Sequence, residues 1–140
     1  MNTDYTFSII KPNAVRTGKI GPILAMINEA GFEIAAMKML KLNKSQAESF
    51  YAVHKGKPFY EGLIDFMTSG PIVAMILKHE NAVERYRKLM GSTDPSKADP
   101  GTIRKLYAVS TQTNAVHGSD SHENAEIEAN FFFAAFERFL

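Results

Sequence analysis

The chain has no cysteine and no tryptophan. The first absence rules out disulfides, thiol nucleophiles and cysteine-bound metals. Long apolar runs are missing too. Residues 71–77, Pro-Ile-Val-Ala-Met-Ile-Leu, form the longest useful one, far below the ~20 residues needed to cross a bilayer. No apolar leader follows Met1-Asn2-Thr3-Asp4, so a soluble, cytoplasmic protein with no membrane partner is expected. Neither sign of charge dominates: 16 Lys+Arg against 15 Asp+Glu leave +1. A balance this even creates no long-range field for a polyanion, so no nucleic-acid partner is expected and any anion site must be local. His54, His79, His117 and His122 include no i, i+4 pair of the kind that grips zinc on a helix. Gly18-Lys19-Ile20-Gly21 lacks the terminal Gly-Lys-Ser/Thr of a phosphate-binding P-loop.

What is present suits one domain over residues 1–140. Hydrophobic residues make up 45% of the chain and charged ones 22%, enough apolar material for a packed core. Tyr5-Thr6-Phe7-Ser8-Ile9-Ile10 reads as a strand, ended by Lys11-Pro12. Ile20, Ile23, Leu24 and Ile27 recur at helical spacing over 20–30, with Gly31 as the stop. Near alternation over 32–42 predicts a second strand. Asn43, with Gln46 three residues on, opens a helix to about Tyr51. A further helix over 59–67 follows the break at Lys55-Gly56-Lys57-Pro58, and Ser69-Gly70-Pro71 ends it.

The apolar run at 71–77 predicts a central strand covered on both faces. Residues 81–90 predict an amphipathic helix with Val83, Tyr86, Leu89 and Met90 inward, and 91–101 a loop. A weaker strand over 109–116 and a helix over 121–136 complete the order. Phe131, Phe132, Phe133 and Phe136 on that last helix call for packing. This succession fits an α+β sandwich with an antiparallel sheet.

The chemistry concentrates in Asn114-Ala115-Val116-His117-Gly118-Ser119-Asp120, which sets an imidazole between an apolar run and a small-residue turn. Histidine has a reference pKa of about 6.5, so near neutral pH the residue type retains a nucleophilic form. The segment resembles the active-site signature of the nucleoside diphosphate kinases. The likeness runs through Lys11-Pro12, Ser69-Gly70-Pro71 and Pro100-Gly101-Thr102-Ile103-Arg104 to Glu128.

The resemblance implies a ferredoxin-like α/β sandwich with an antiparallel four-stranded sheet. It implies ping-pong transfer of a γ-phosphoryl group from a nucleoside triphosphate to a nucleoside diphosphate through a phosphohistidine at His117, with broad tolerance of base and sugar. Glu128 would orient the ring. Lys11, Arg87 and Arg104 would bind phosphate, with Thr93 adding a hydroxyl, and Tyr51 would border the transferred group. Asn114 with Lys11 would read the ribose hydroxyl. Phe59 would stack on the base beside Leu63. Mg2+ would arrive on the nucleotide phosphates, and the chain would assemble as a tetramer or hexamer.

A nitrogen nucleophile suits a reversible transfer, because a phosphorus–nitrogen bond keeps the group at high transfer potential. Asp120 is expected to be structural. Lys105-Leu106 replace the small and acidic pair found in many relatives, a change that leaves the phosphate-binding positions intact. Two other readings compete: a ferredoxin-like binding module with His117 incidental, and a phosphohistidine phosphatase, for which residues poised on water are not evident.

Overall fold

The computed structural model describes residues 4–140, so the expectation about a leader at 1–3 lies outside the described residues. Strand β1 is Asp4–Ile10. It gives way at Lys11 because Pro12 has no N–H for the ladder. The same proline then starts a short helix, α1 (Pro12–Arg16), where a missing N–H costs nothing. The expected strand end is correct, but α1 lay hidden behind it.

Helix α2 (Ile20–Glu29) buries Ile23 and Ile27, and Gly31 follows at φ +93°, a left-handed turn that favours glycine. Strand β2 is Glu33–Leu40. In α3 (Lys44–Phe50) the Asn43 side chain accepts from Gln46 N at 2.8 Å, while Gln46 Oε1 accepts from Asn43 N at 2.9 Å. This is the reciprocal cap that the spacing predicted. Helix α4 is Tyr60–Met67, β3 is Ile72–His79 and α5 is Ala82–Met90.

Two expectations in the last third need correction. Residues 109–113 are not a strand: Val109 N donates to Thr113 O and Thr113 N to Ser110 Oγ, so Ser and Thr satisfy the backbone locally as a turn. The strand, β4, is only Val116–Gly118. A short helix that the pattern did not reveal, α6 (Ile103–Tyr107), precedes it, capped by the Thr102 side chain. The final helix, α7, is His122–Phe132, shorter than expected at its C-terminal end. Of the four rings, Phe132 and Phe133 are buried, whereas Phe131 and Phe136 are exposed.

The sheet runs β2-β3-β1-β4, every neighbour antiparallel. Its central strands carry apolar side chains to both faces. One face packs Phe7, Ile9, Ala74 and Ile76 against α3, α4 and α7. The other packs Ile10, Val73, Met75 and Val116 against α2 and α5. This is the ferredoxin-like α+β sandwich that the resemblance implied. Among the described residues no helix is long and apolar enough to cross a membrane.

Candidate active site

Strand periodicity sets the position of His117. In β4, Val116 pairs with Ile10 and joins the core beside α5, so His117, paired with Ile9, points to the opposite face. There it meets α7: His117 Nε2 lies 2.9 Å from Glu128 Oε1. Ser119, two residues on and therefore on the same face, donates from Oγ to the same oxygen at 2.6 Å. Its backbone N–H donates to Phe7 O at 3.1 Å, which fastens the pair to β1. A carboxylate only accepts, so Nε2 carries the hydrogen and Nδ1 keeps its lone pair. Phe50 meets the imidazole edge to face at 5.8 Å and Phe7 lies tilted to it at 6.1 Å. The side chain of His117 is 19% exposed, so solvent reaches the ring.

The backbone leading into His117 is unusual. Ala115 has φ +73°, and Val116 N donates to Asn114 O at 2.9 Å, closing a three-residue turn of the strained hand. The turn puts Asn114 over the end of β1. Lys11 Nζ donates to Asn114 Oδ1 at 2.8 Å, and Lys11 N to Ala115 O at 2.8 Å. Strand end and turn are thus bonded to each other through both side chain and main chain.

Lys11 and Arg104 are both buried, at 6% and 8% exposure. Burial, with Arg104 nearby, pushes the Lys11 ammonium down to about 7. Burial also lowers Arg104, whose guanidinium donates to Gly91 O at 3.1 Å and Val116 O at 2.9 Å. Among the described residues the Lys or Arg ion pairs are Lys38–Glu137 and Lys78–Glu33, so neither of these two buried cations is paired with a carboxylate. Interior charge without a counter-ion is costly, and its usual justification is an anionic ligand. Tyr51 is buried as well, its hydroxyl has no partner among the described residues, and burial with Glu128 close by raises its pKa.

Two cavities join the remaining predicted residues. One, of about 430 Å³, is lined by Lys11, Phe59, Leu63, Thr93 and Asn114 together with Thr111 and Gln112. The second, of about 690 Å³, includes Arg87, Thr93 and Arg104. Thr93 borders both, so the apolar ring-sized chamber and the cationic chamber are neighbours. His117, Glu128 and Tyr51 line neither; they form a separate cluster that shares the 114–117 segment with the first chamber. Asp120 accepts from Asn124 Nδ2 at 2.5 Å at the start of α7, the structural part expected of it.

Sequence reasoning did not find Ser119 as a support for Glu128, although its two-residue offset from His117 on a strand was the available signal. It also missed His54, whose ring stacks on Tyr51 at 6.3 Å and lies 5.2 Å from Phe59.

A ferredoxin-like sandwich holding an imidazole–carboxylate pair near buried, unpaired cations is an arrangement suited to a phosphotransferase. A family profile described as nucleoside diphosphate kinase matches residues 4–138. The chain belongs to the nucleoside diphosphate kinase family, and its activity is nucleotide phosphoryl transfer. It is 59% identical to the nucleoside diphosphate kinase of Lawsonia intracellularis over 134 residues, covering 96% of this chain and 97% of that one. Its fold superposes on the Aquifex aeolicus enzyme in an orthorhombic crystal form with a TM-score of 0.95 at 38% identity, covering 98% and 99% of the two chains. The Halobacterium salinarum enzyme, solved in complex with CDP, aligns with a TM-score of 0.93 at 37% identity, covering 98% of this chain and 91% of that one. The binding-module and phosphatase readings are not favoured by these matches.

Proposed function

We propose that His117 is the residue that carries the phosphoryl group between nucleotides. The observation that carries this reading is the 2.9 Å contact between His117 Nε2 and Glu128, which leaves Nδ1 as the free nucleophile. The Nδ1 lone pair attacks the γ-phosphorus, the bond to the β-phosphate bridging oxygen breaks, and the nucleoside diphosphate leaves with that electron pair. The Nε2 hydrogen stays on Glu128's side of the ring throughout. A second nucleoside diphosphate then attacks with a terminal phosphate oxygen and the phosphorus–nitrogen bond breaks. One site serves both halves, the requirement of a ping-pong cycle.

In this reading Lys11, Arg87 and Arg104 neutralise phosphate charge, with Thr93 donating a hydroxyl between the two cavities. The unpartnered Tyr51 hydroxyl supports a contact with the transferred group. The Lys11–Asn114 pair supports a ribose contact, and Phe59 with Leu63 an apolar wall for the base, which accepts any ring by stacking. The polar side chains around the phosphate cavity are cations and hydroxyls, with Asp99 the one carboxylate in its lining, while Glu128 is occupied by His117 and Ser119. Mg2+ therefore belongs with the nucleotide, where it supplies charge neutralisation on phosphate oxygens. We assign one domain to residues 1–140 and a cytoplasmic setting. Exposed Met37 and Met39 on the edge strand β2 support contact with a second copy of the chain, and the family resemblance extends this to a tetramer or hexamer.

The test is direct. Incubation with γ-labelled ATP should leave acid-labile label on the protein, which moves to added GDP or CDP. His117→Gln should lose both steps while keeping the circular dichroism of the parent. Full turnover in that variant would end the proposal.

A further inference from the structure

We infer that Gln112 is a base-reading residue, one that hydrogen-bonds the edge of the nucleotide base and contributes to binding of all the natural bases alike. The inference rests on the reading of the 430 Å³ cavity as the nucleoside chamber.

The chamber has three distinct sides. Phe59 and Leu63 of α4 form an apolar wall, and the Lys11–Asn114 pair forms a polar end. Gln112, on the turn before β4, closes the side next to α4. A Cβ built on Gly62, one residue before Leu63, would stand 2.8 Å from Gln112 Oε1 and 3.3 Å from Nε2. Gln112 is exposed at the rim of the chamber, and its amide lies against α4 at Gly62, beside the wall on which a ring would stack.

The plain alternative is a solvated loop glutamine that helps hold its turn. The turn's bonds argue against the second half of that. They are made by Thr113 O with Val109 N and Ser110 N, by Ser110 Oγ with Thr113 N, and by Thr111 O with Asn114 Nδ2. Gln112 contributes its side chain to none of these.

The chemistry of a carboxamide fits this position. It presents a donor and an acceptor side by side, and rotation of its last torsion exchanges them. Each natural base carries an adjacent donor and acceptor on its pairing edge: N6–H and N1 in adenine, N1–H and O6 in guanine, N4–H and N3 in cytosine, N3–H and O4 in uracil. One side chain that turns over can match all four, so Gln112 adds affinity without adding preference. A carboxylate there would only accept, which suits guanine, with N1–H and N2–H adjacent, and opposes uracil, whose one donor lies between two carbonyl oxygens.

The experiment measures kcat and KM for ADP, GDP, CDP, UDP and the diphosphate of a difluorotoluene deoxynucleoside, whose ring stacks but has no pairing edge. Gln112→Leu keeps bulk and removes the amide. It should raise KM for the four natural diphosphates by about three- to tenfold, the size of one net hydrogen bond, and leave kcat and the apolar analogue unchanged. Gln112→Glu should favour GDP over UDP relative to the parent. An equal change for all five diphosphates would reduce Gln112 to wall volume and overturn the inference. Unchanged KM values in a protein that still takes label on His117 would overturn it too, leaving the proposed function intact. No label on the parent protein would remove both.

Discussion

Lys11 holds an ammonium in the interior at a position where an anion is expected, and this has a measurable signature in pH. Its pKa in the folded protein, about 7, lies below the ordinary lysine value of 10.5. Between those values the unfolded chain binds a proton that the folded one does not, so this group's contribution to stability rises with pH across that window. Its cost is fully present below pH 7. Phosphate beside Lys11 favours the charged form, so nucleotide binding at pH 8 should take up protons. Calorimetry in two buffers of different ionisation heat would detect this, and Lys11→Met should abolish the difference. Binding without proton uptake in the parent would show that Lys11 does not meet the phosphates. Glu128 and Ser119 act one step removed, by fixing the ring. Glu128→Ala should slow phosphorylation of His117 by about 10- to 100-fold, in line with the loss of a partner that orients a reactive histidine. Ser119→Ala should cost less, because Glu128 retains its bond to the ring; single-turnover labelling would rank the two, and equal losses would contradict the order.

Among the elements, α3 shows how a local code works when nothing overrides it. Asn43 and Gln46 satisfy each other's backbone N–H groups through side chains only three residues apart. Asn43→Ala should destabilise the protein by about 1 kcal/mol, read as a lower urea midpoint at unchanged slope. No loss would mean that packing against α4, and not the cap, holds this helix. The turn at 109–113 is the opposite case. Its Val and Thr residues have strand propensity, but no neighbouring strand meets them there, and Val109 stays 76% exposed. Bonds within the segment then win: Thr113 O accepts from Val109 N and Ser110 N, and Ser110 Oγ accepts from Thr113 N. The elements missed by pattern reading, α1 and α6, are each five residues long, too short for an apolar period to declare itself.

Across the whole molecule, His117 depends on the fit between β4 and α5. A Cβ added at Gly118 would come within 2.6 Å of Met90 Cε and 2.8 Å of Tyr86 Cδ2. Tyr86 is fully buried and accepts from Ser8 Oγ at 2.7 Å, so its ring has little freedom to yield. Gly118→Ala should therefore cost about 1–3 kcal/mol of stability through overpacking. It should also slow His117 phosphorylation, because β4 must shift with its neighbour. Thermal denaturation and labelling kinetics check the two halves, and a variant as stable and as active as the parent would show that α5 yields without moving the strand.

The 114–120 segment stood out through its resemblance to a family signature, whereas residue order alone was enough for the main strands, the α3 cap and the Gly31 stop. Each of these rests on interactions between neighbours in the chain, or on side-chain periods that a linear pattern displays. The site as a working arrangement came from three-dimensional packing. Glu128 reaches His117 across eleven positions because α7 lies on the face of the sheet toward which β4 turns its middle residue. Lys11 meets Asn114 because a strained turn at Ala115 brings the last strand back over the end of the first. Such contacts follow from which surfaces bury each other, a property of the assembled sandwich that no local stretch carries.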